Sequence, residues 1–167
     1  MTSAEPRSRT VTWHDPHAIA AGMPGRTGLE FLQAIVSGEL PPPPIAELFQ
    51  MRLVSVGPGE AAFGCTPDES AYSPIGAVHG GLVCTLLDSA LGCAVQSTLP
   101  AGVGYTSIEI SVRYLRPVHA GIGEIIATGR VVKPGRRVSF AEGEVRDAAG
   151  KLVATAASSF LVFPLTG

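Results

Sequence analysis

The sequence predicts a single α+β domain in which a long, buried central helix is wrapped by a curved antiparallel β-sheet, with a helical extension at the N-terminus. Three observations carry this expectation. Residues 80–97 run without proline and are apolar nearly all round, so as a helix they need cover on several sides. Residues 107–114 alternate strictly, with Ile108, Ile110, Val112 and Tyr114 on one face and Ser107, Glu109, Ser111 and Arg113 on the other, the period of a half-buried strand. Three further β-rich runs, 122–132, 138–146 and 152–163, are joined by the turn sequences Lys133-Pro134-Gly135-Arg136 and Asp147-Ala148-Ala149-Gly150-Lys151, which implies an antiparallel meander.

From the N-terminus, Leu29, Phe31, Leu32, Ile35 and Val36 recur at helical spacing over 28–37, and Gly38 follows as a stop signal. The prolines of 41–44 donate no backbone hydrogen bonds and favour an extended chain, so the boundary is placed here, with an extension over 1–44 and the core domain over 45–167. Residues 45–50 predict one more helical turn. Residues 51–56 and 60–66 flank a Gly57-Pro58-Gly59 turn as the two arms of a hairpin.

The chain of 167 residues is 46% hydrophobic and 16% charged, a globular composition of one-domain size, and its few aromatics mean that small residues fill much of the core. A net charge of −2 with no block of like charges lacks the field that a phosphate backbone requires, and residues 10–28 offer no helix-turn-helix or basic stripe, so nucleic acid is not an expected partner. His14 and His17 there read as surface or disordered residues. The polar segment 1–9 has no apolar signal core, and Thr85, Asp88, Ser89 and Gly92 interrupt the longest apolar run; the expectation is a cytoplasmic protein with no membrane span. Cys65, Cys84 and Cys93 form no CxxC pair and read as small core residues rather than disulfide or zinc ligands, and no metal or other cofactor is expected.

Within the central helix Thr85, Asp88, Ser89, Gly92 and Gln96 share one face, a polar stripe on an otherwise apolar element. An Asp in a buried helix interior is costly unless hydrogen-bonded or protonated. It reads either as a carboxylate in a cleft, placed to act as base or nucleophile, or as a hydrogen-bonded structural residue. Just before the helix stand Ser73-Pro74-Ile75-Gly76-Ala77-Val78-His79-Gly80-Gly81, where two glycines at a helix start either free amides for an oxyanion or simply make a tight turn.

Gly76-x-x-His79-Gly80-Gly81, followed nine residues after the histidine by Asp88, resembles the motif of the PaaI-type, or HGG-motif, hotdog thioesterases. Tyr114-Leu115-Arg116-Pro117 is similar to that family's aromatic-x-x-Pro strand end, and the basic turn at Lys133 to its basic hairpin. The resemblance implies a hotdog fold that dimerises by joining sheets, as a homodimer or with its dimers paired into a tetramer, places active sites at the subunit interface and hydrolyses an acyl-CoA. It assigns Asp88 as nucleophile or as base toward water, the Gly80 N–H as the donor to the thioester carbonyl, and His79 to a structural more than a catalytic role. Gly81 belongs to the same binding turn. Ser107, with Thr106 beside it as a fallback, matches a strand hydroxyl that holds the nucleophilic water from across the subunit interface, or else is a solvated strand position. Two positions depart from the pattern: Ser73 stands where many relatives carry Asn or Gln, and Gly92 where some carry Thr or Ser, which would widen the acyl pocket. Arg116, Arg136 and Arg137 are either phosphate partners for coenzyme A or solvated turn charges. The competing expectations are a non-catalytic acyl-CoA-binding module of the same fold, and a hydratase, whose histidine–acid pairing is not matched by His79 and Asp88.

Overall fold

Helix α4, Gly80–Gln96, is the axis of the molecule, and Leu86, Leu87, Ala90, Leu91, Ala94 and Val95 along it are fully buried. The computed structural model describes residues 5–165, so the outermost residues of the expected 1–44 and 45–167 regions lie outside it. Before α4 come α1 (Pro16–Ala20), α2 (Gly28–Val36), α3 (Pro44–Phe49) and a hairpin of β1 (Met51–Gly57) and β2 (Glu60–Cys65). After it come β3 (Val103–Tyr114), β4 (Ile125–Lys133), β5 (Val138–Arg146) and β6 (Leu152–Pro164). The six strands form one antiparallel sheet in the order β1-β2-β4-β5-β6-β3, with β1 and β3 at its edges. The sheet packs around α4, which is the α+β hotdog arrangement expected from the sequence.

Small residues let helix and sheet approach. A Cβ on Gly129 of β4 would lie 2.5 Å from the Ala90 carbonyl of α4, and Ala127, Ala141 and Ala154 are buried beside it. The extension is packed on the same core. Thr27 caps α2 and Glu30 returns the bond as a capping box, which holds the Glu30 carboxyl below its ordinary range. The Gly28 N–H donates to the Leu99 carbonyl at 2.9 Å, and a Cβ at Gly28 would sit 1.7 Å from the Gln96 carbonyl, so only glycine lets α2 dock on the end of α4.

Three features differ from the expectation. Helix α1, capped by Asp15 with Pro16 in its first turn, occupies a stretch too short to show periodicity; His17 lies on it and, like His14, is exposed. Strand β3 starts at Val103 rather than 107, and β4 at Ile125 rather than 122, after Gly123 with φ 88°. The third difference bears on function: β3 is not regularly alternating. Its register against β6 shifts between Ser107 and Glu109, so Ile108 is the extra residue of a β-bulge. Tyr105 and Ser107 thereby join Ile110, Val112 and Tyr114 on the helix side, opposite Val162, Phe160, Ser158, Ala156 and Ala154 of β6. The strict alternation had placed Ser107 on the other face. Among the described residues no helix is long and apolar enough to cross a membrane.

Candidate active site

Asp88 projects from the middle of α4, half-buried, toward β3, and the Ser107 hydroxyl donates to its Oδ1 at 2.7 Å. The β-bulge is what makes the contact possible, because it aims Ser107 at the helix. The pair forms one wall of a cavity of about 300 Å³ lined also by Cys84, Thr85, Ile108, Glu109 and Ile110. Ser107 and Asp88 meet within one chain. Thr106, on the outward side of β3, is not brought to the carboxylate. A larger hollow of about 910 Å³ lies on the outer face of the sheet, lined by Arg113, Arg130, Glu142 and Glu144 among others, and it contains none of the motif residues.

The polar stripe of α4 divides at Asp88. Toward the N-terminus Thr85 faces the cavity and its hydroxyl donates back to the Gly81 carbonyl at 2.9 Å. Toward the C-terminus the stripe is closed. A Cβ at Gly92 would lie 2.5 Å from the Tyr105 hydroxyl, so the ring of Tyr105 fills the space that a missing side chain at Gly92 was expected to open for an acyl group. Tyr105 in turn packs edge-on against the buried Phe160, ring centroids 5.6 Å apart. Sequence reasoning missed Tyr105, since its role follows from a ring meeting a glycine across two elements.

At the start of α4, His79 is the N-cap: its Nδ1 accepts the Gly81 N–H at 2.9 Å, and the Leu82 N–H reaches the His79 carbonyl at 3.0 Å. A Cβ on Gly81 would be 2.8 Å from that ring nitrogen. The Gly81 amide is therefore satisfied inside the turn, whereas the Gly80 N–H has no acceptor among the described residues. Tyr114 braces Gly80 from β3, its hydroxyl donating to the Gly80 carbonyl at 3.0 Å and its ring lying 3.1 Å from where a Cβ would stand. The Ser73 hydroxyl is spent on the Ala77 carbonyl at 2.9 Å, closing its own loop rather than reaching toward Asp88.

The arginines are exposed and not gathered. Arg116 follows β3 at the Tyr114 end, while Arg136 and Arg137 sit in the β4–β5 turn, which the register places near Leu161 and Thr106. Those two ends of β3 are roughly 25 Å apart at the usual rise per strand residue. Nor does the site hold a reactive thiol. Burial, and secondarily the charge of Asp88, raise the Cys84 thiol and push Cys93 up to about 12; burial takes Cys65 to about 11. Of the two carboxylates that line the cavity, Asp88 and Glu109, Asp88 is the one that a neighbouring hydroxyl orients. Among the described residues no cluster of side chains is suited to hold a metal ion.

Comparison with known proteins gives the family and the fold. The family model described as thioesterase superfamily matches residues 75–154. A protein of proposed esterase function from Halobacterium salinarum is 36% identical over 123 residues, covering 69% of this chain and 70% of that one. Human acyl-coenzyme A thioesterase 13 is 32% identical over 108 residues, covering 64% and 76% respectively. The solved structure of the PaaI protein from the phenylacetic acid degradation operon of E. coli superposes with a TM-score of 0.69 at 19% identity, covering 90% of this chain and 99% of that one, a likeness of fold.

Proposed function

The chain belongs to the thioesterase superfamily and is a thioester hydrolase, and from that premise we propose that it cleaves an aryl- or medium-chain acyl-CoA to the free acid and coenzyme A, with Asp88 delivering the oxygen nucleophile. The observation that carries this reading is the Ser107–Asp88 hydrogen bond at the wall of an open cavity. A carboxylate that costs free energy on an apolar helix is held in one orientation by a hydroxyl and is open to a small molecule. Asp88 either attacks the carbonyl carbon, giving an anhydride that water then opens, or takes a proton from water as the water oxygen attacks. On both routes the carbonyl oxygen becomes an oxyanion, which collapses as the C–S bond breaks; coenzyme A leaves as the thiolate and is protonated by the acid form of Asp88 on the base route and by water on the nucleophile route. The free Gly80 N–H, at the positive end of α4, is the proposed donor to that oxyanion. Coenzyme A enters the proposal because a relative bears acyl-coenzyme A thioesterase as its name; Arg116, Arg136 and Arg137 are the cations offered to its phosphates.

The helix itself sets a constraint. Gly80 and Asp88 lie eight residues apart on α4, about 12 Å along the axis at 1.5 Å per residue. One carbonyl group, with about 1.2 Å between its carbon and oxygen, does not reach both in a single chain. Two copies of the chain remove the conflict if Asp88 and Ser107 come from one and Gly80 from the other. A homodimer, alone or paired into a tetramer, with the site at the subunit interface, is thus part of the proposal.

The test is continuous release of thiol from a panel of aryl and aliphatic acyl-CoAs. Saturable turnover on at least one class is expected. Tight binding of the esters with no thiol released from any of them would contradict the reading and leave an acyl-CoA-binding module in its place.

A further inference from the structure

We infer that Ser158 of β6 is a positioning residue of the active site: by holding the Glu109 carbonyl it fixes the β-bulge that turns Ser107 toward Asp88. This rests on the reading that Asp88 acts on the thioester, and it adds the residue that keeps the partner of Asp88 in place.

Packing does little to hold Ser107. Thr106, Ser107, Ile108 and Glu109 form an unbroken run of exposed residues on the edge strand β3. The core therefore does not fix their side chains, and the ladder to β6 is interrupted at the bulge itself. Register is weakly specified where neither face of a strand is buried. If the bulge were lost, Ser107 would return to the face that strict alternation gives it, with Glu109, Ser111 and Arg113, away from Asp88.

Among the described residues two side-chain hydrogen bonds reach this run. One is the Ser107–Asp88 contact. In the other, the Ser158 hydroxyl donates to the Glu109 carbonyl at 2.5 Å from across the strand pair. Ser158 is 4% exposed. Its neighbours in the register are Ile110 of β3 and Ala141 of β5, and Ala154, Ala156, Phe160 and Val162 share its face of β6. A hydroxyl at so apolar a position costs free energy unless it is hydrogen-bonded. Alanine would fill the place as well. What serine adds is a donor for one carbonyl, and that carbonyl belongs to the first residue that pairs again after Ile108. The bond thus ties the bulge between Ser107 and Glu109 to the buried side of the sheet, and a serine that lines no part of the cavity sets the aim of one that does.

Ser158→Ala is expected to lower kcat roughly tenfold or more while KM stays within about twofold. A reacting group displaced by about 1 Å loses up to about a hundredfold, and the remaining contacts of the substrate are untouched. The loss should pass through Ser107. Ser107→Ala is expected to lower kcat at least as far, and the double variant to match Ser107→Ala within about twofold rather than multiply the two losses. Ser97→Ala is the control: it removes a similarly buried hydroxyl, bonded to the Ala94 carbonyl and the Gly59 N–H at the far end of α4, and should keep kcat within about twofold of wild type. Amide hydrogen exchange reads the bulge without substrate. The amides of residues 107–110 that β6 protects should exchange at least about tenfold faster in Ser158→Ala, with those of β5 unchanged. A kcat lowered no further than in Ser97→Ala, multiplied losses in the double variant, or unchanged exchange over 107–110 would overturn the assignment. Faster exchange there, in a protein whose Asp88→Asn variant hydrolyses thioesters as well as wild type, would leave the tie to the bulge standing and refute the reading of Asp88.

Discussion

Asp88→Asn is expected to lower turnover of the preferred acyl-CoA by at least about two orders of magnitude, the scale on which a positioned base or nucleophile contributes. The substitution keeps shape and removes charge. Asn still presents an oxygen to the Ser107 hydroxyl, so that hydrogen bond survives, and the cavity walls are unchanged. The amide neither attacks a carbonyl nor takes a proton from water. Folding is not expected to suffer: Asp88 has no ion-pair partner among the described residues, and a half-buried charge is being neutralised. Thermal melting and acyl-CoA binding are the controls. A variant that melts early while its remaining folded fraction turns over normally would mark Asp88 as structural.

Gly80→Ala is expected to lower kcat by roughly ten- to hundredfold with little change in KM, because it displaces the oxyanion donor without touching the rest of the substrate. The added methyl would meet the Tyr114 ring 3.1 Å away, and Tyr114 also holds the Gly80 carbonyl, so ring and helix start must move apart. A few tenths of an ångström matter for a donor whose value depends on pointing at a developing charge. An unchanged kcat would remove the Gly80 amide from the reaction; a raised KM at full kcat would assign the turn to substrate binding alone.

The fold was legible because its elements are long and strongly patterned. Residues 80–97 read as a buried helix and the runs after 120 as a meander, and α4, β4, β5 and β6 follow that outline. Asp88 was legible as an incongruity, one carboxylate on an apolar helix eight residues past a glycine pair. The details that arrange the site were not. A β-bulge adds one residue without changing composition, so alternation over 107–114 put Ser107 on the wrong face. Gly92 reads as empty space until the ring of Tyr105, thirteen residues on, is known to occupy it. Likewise, the engagement of Ser73 with Ala77 and the capping of α4 by the His79 ring depend on loop geometry that spacing does not encode. The separation of Gly80 from Asp88 needed only the rise of a helix, and it is the strongest argument that one chain does not complete the site.

Mixing the two impaired variants tests that claim most directly. Asp88→Asn chains retain a sound Gly80, and Gly80→Ala chains a sound Asp88. If the site is shared, each hybrid dimer contains one intact site. After co-refolding at equal amounts, about half the dimers are hybrids and about a quarter of wild-type turnover returns. If instead the mixture shows only the average of the two variants' separate activities, Gly80 and Asp88 act within one chain and the shared site is wrong.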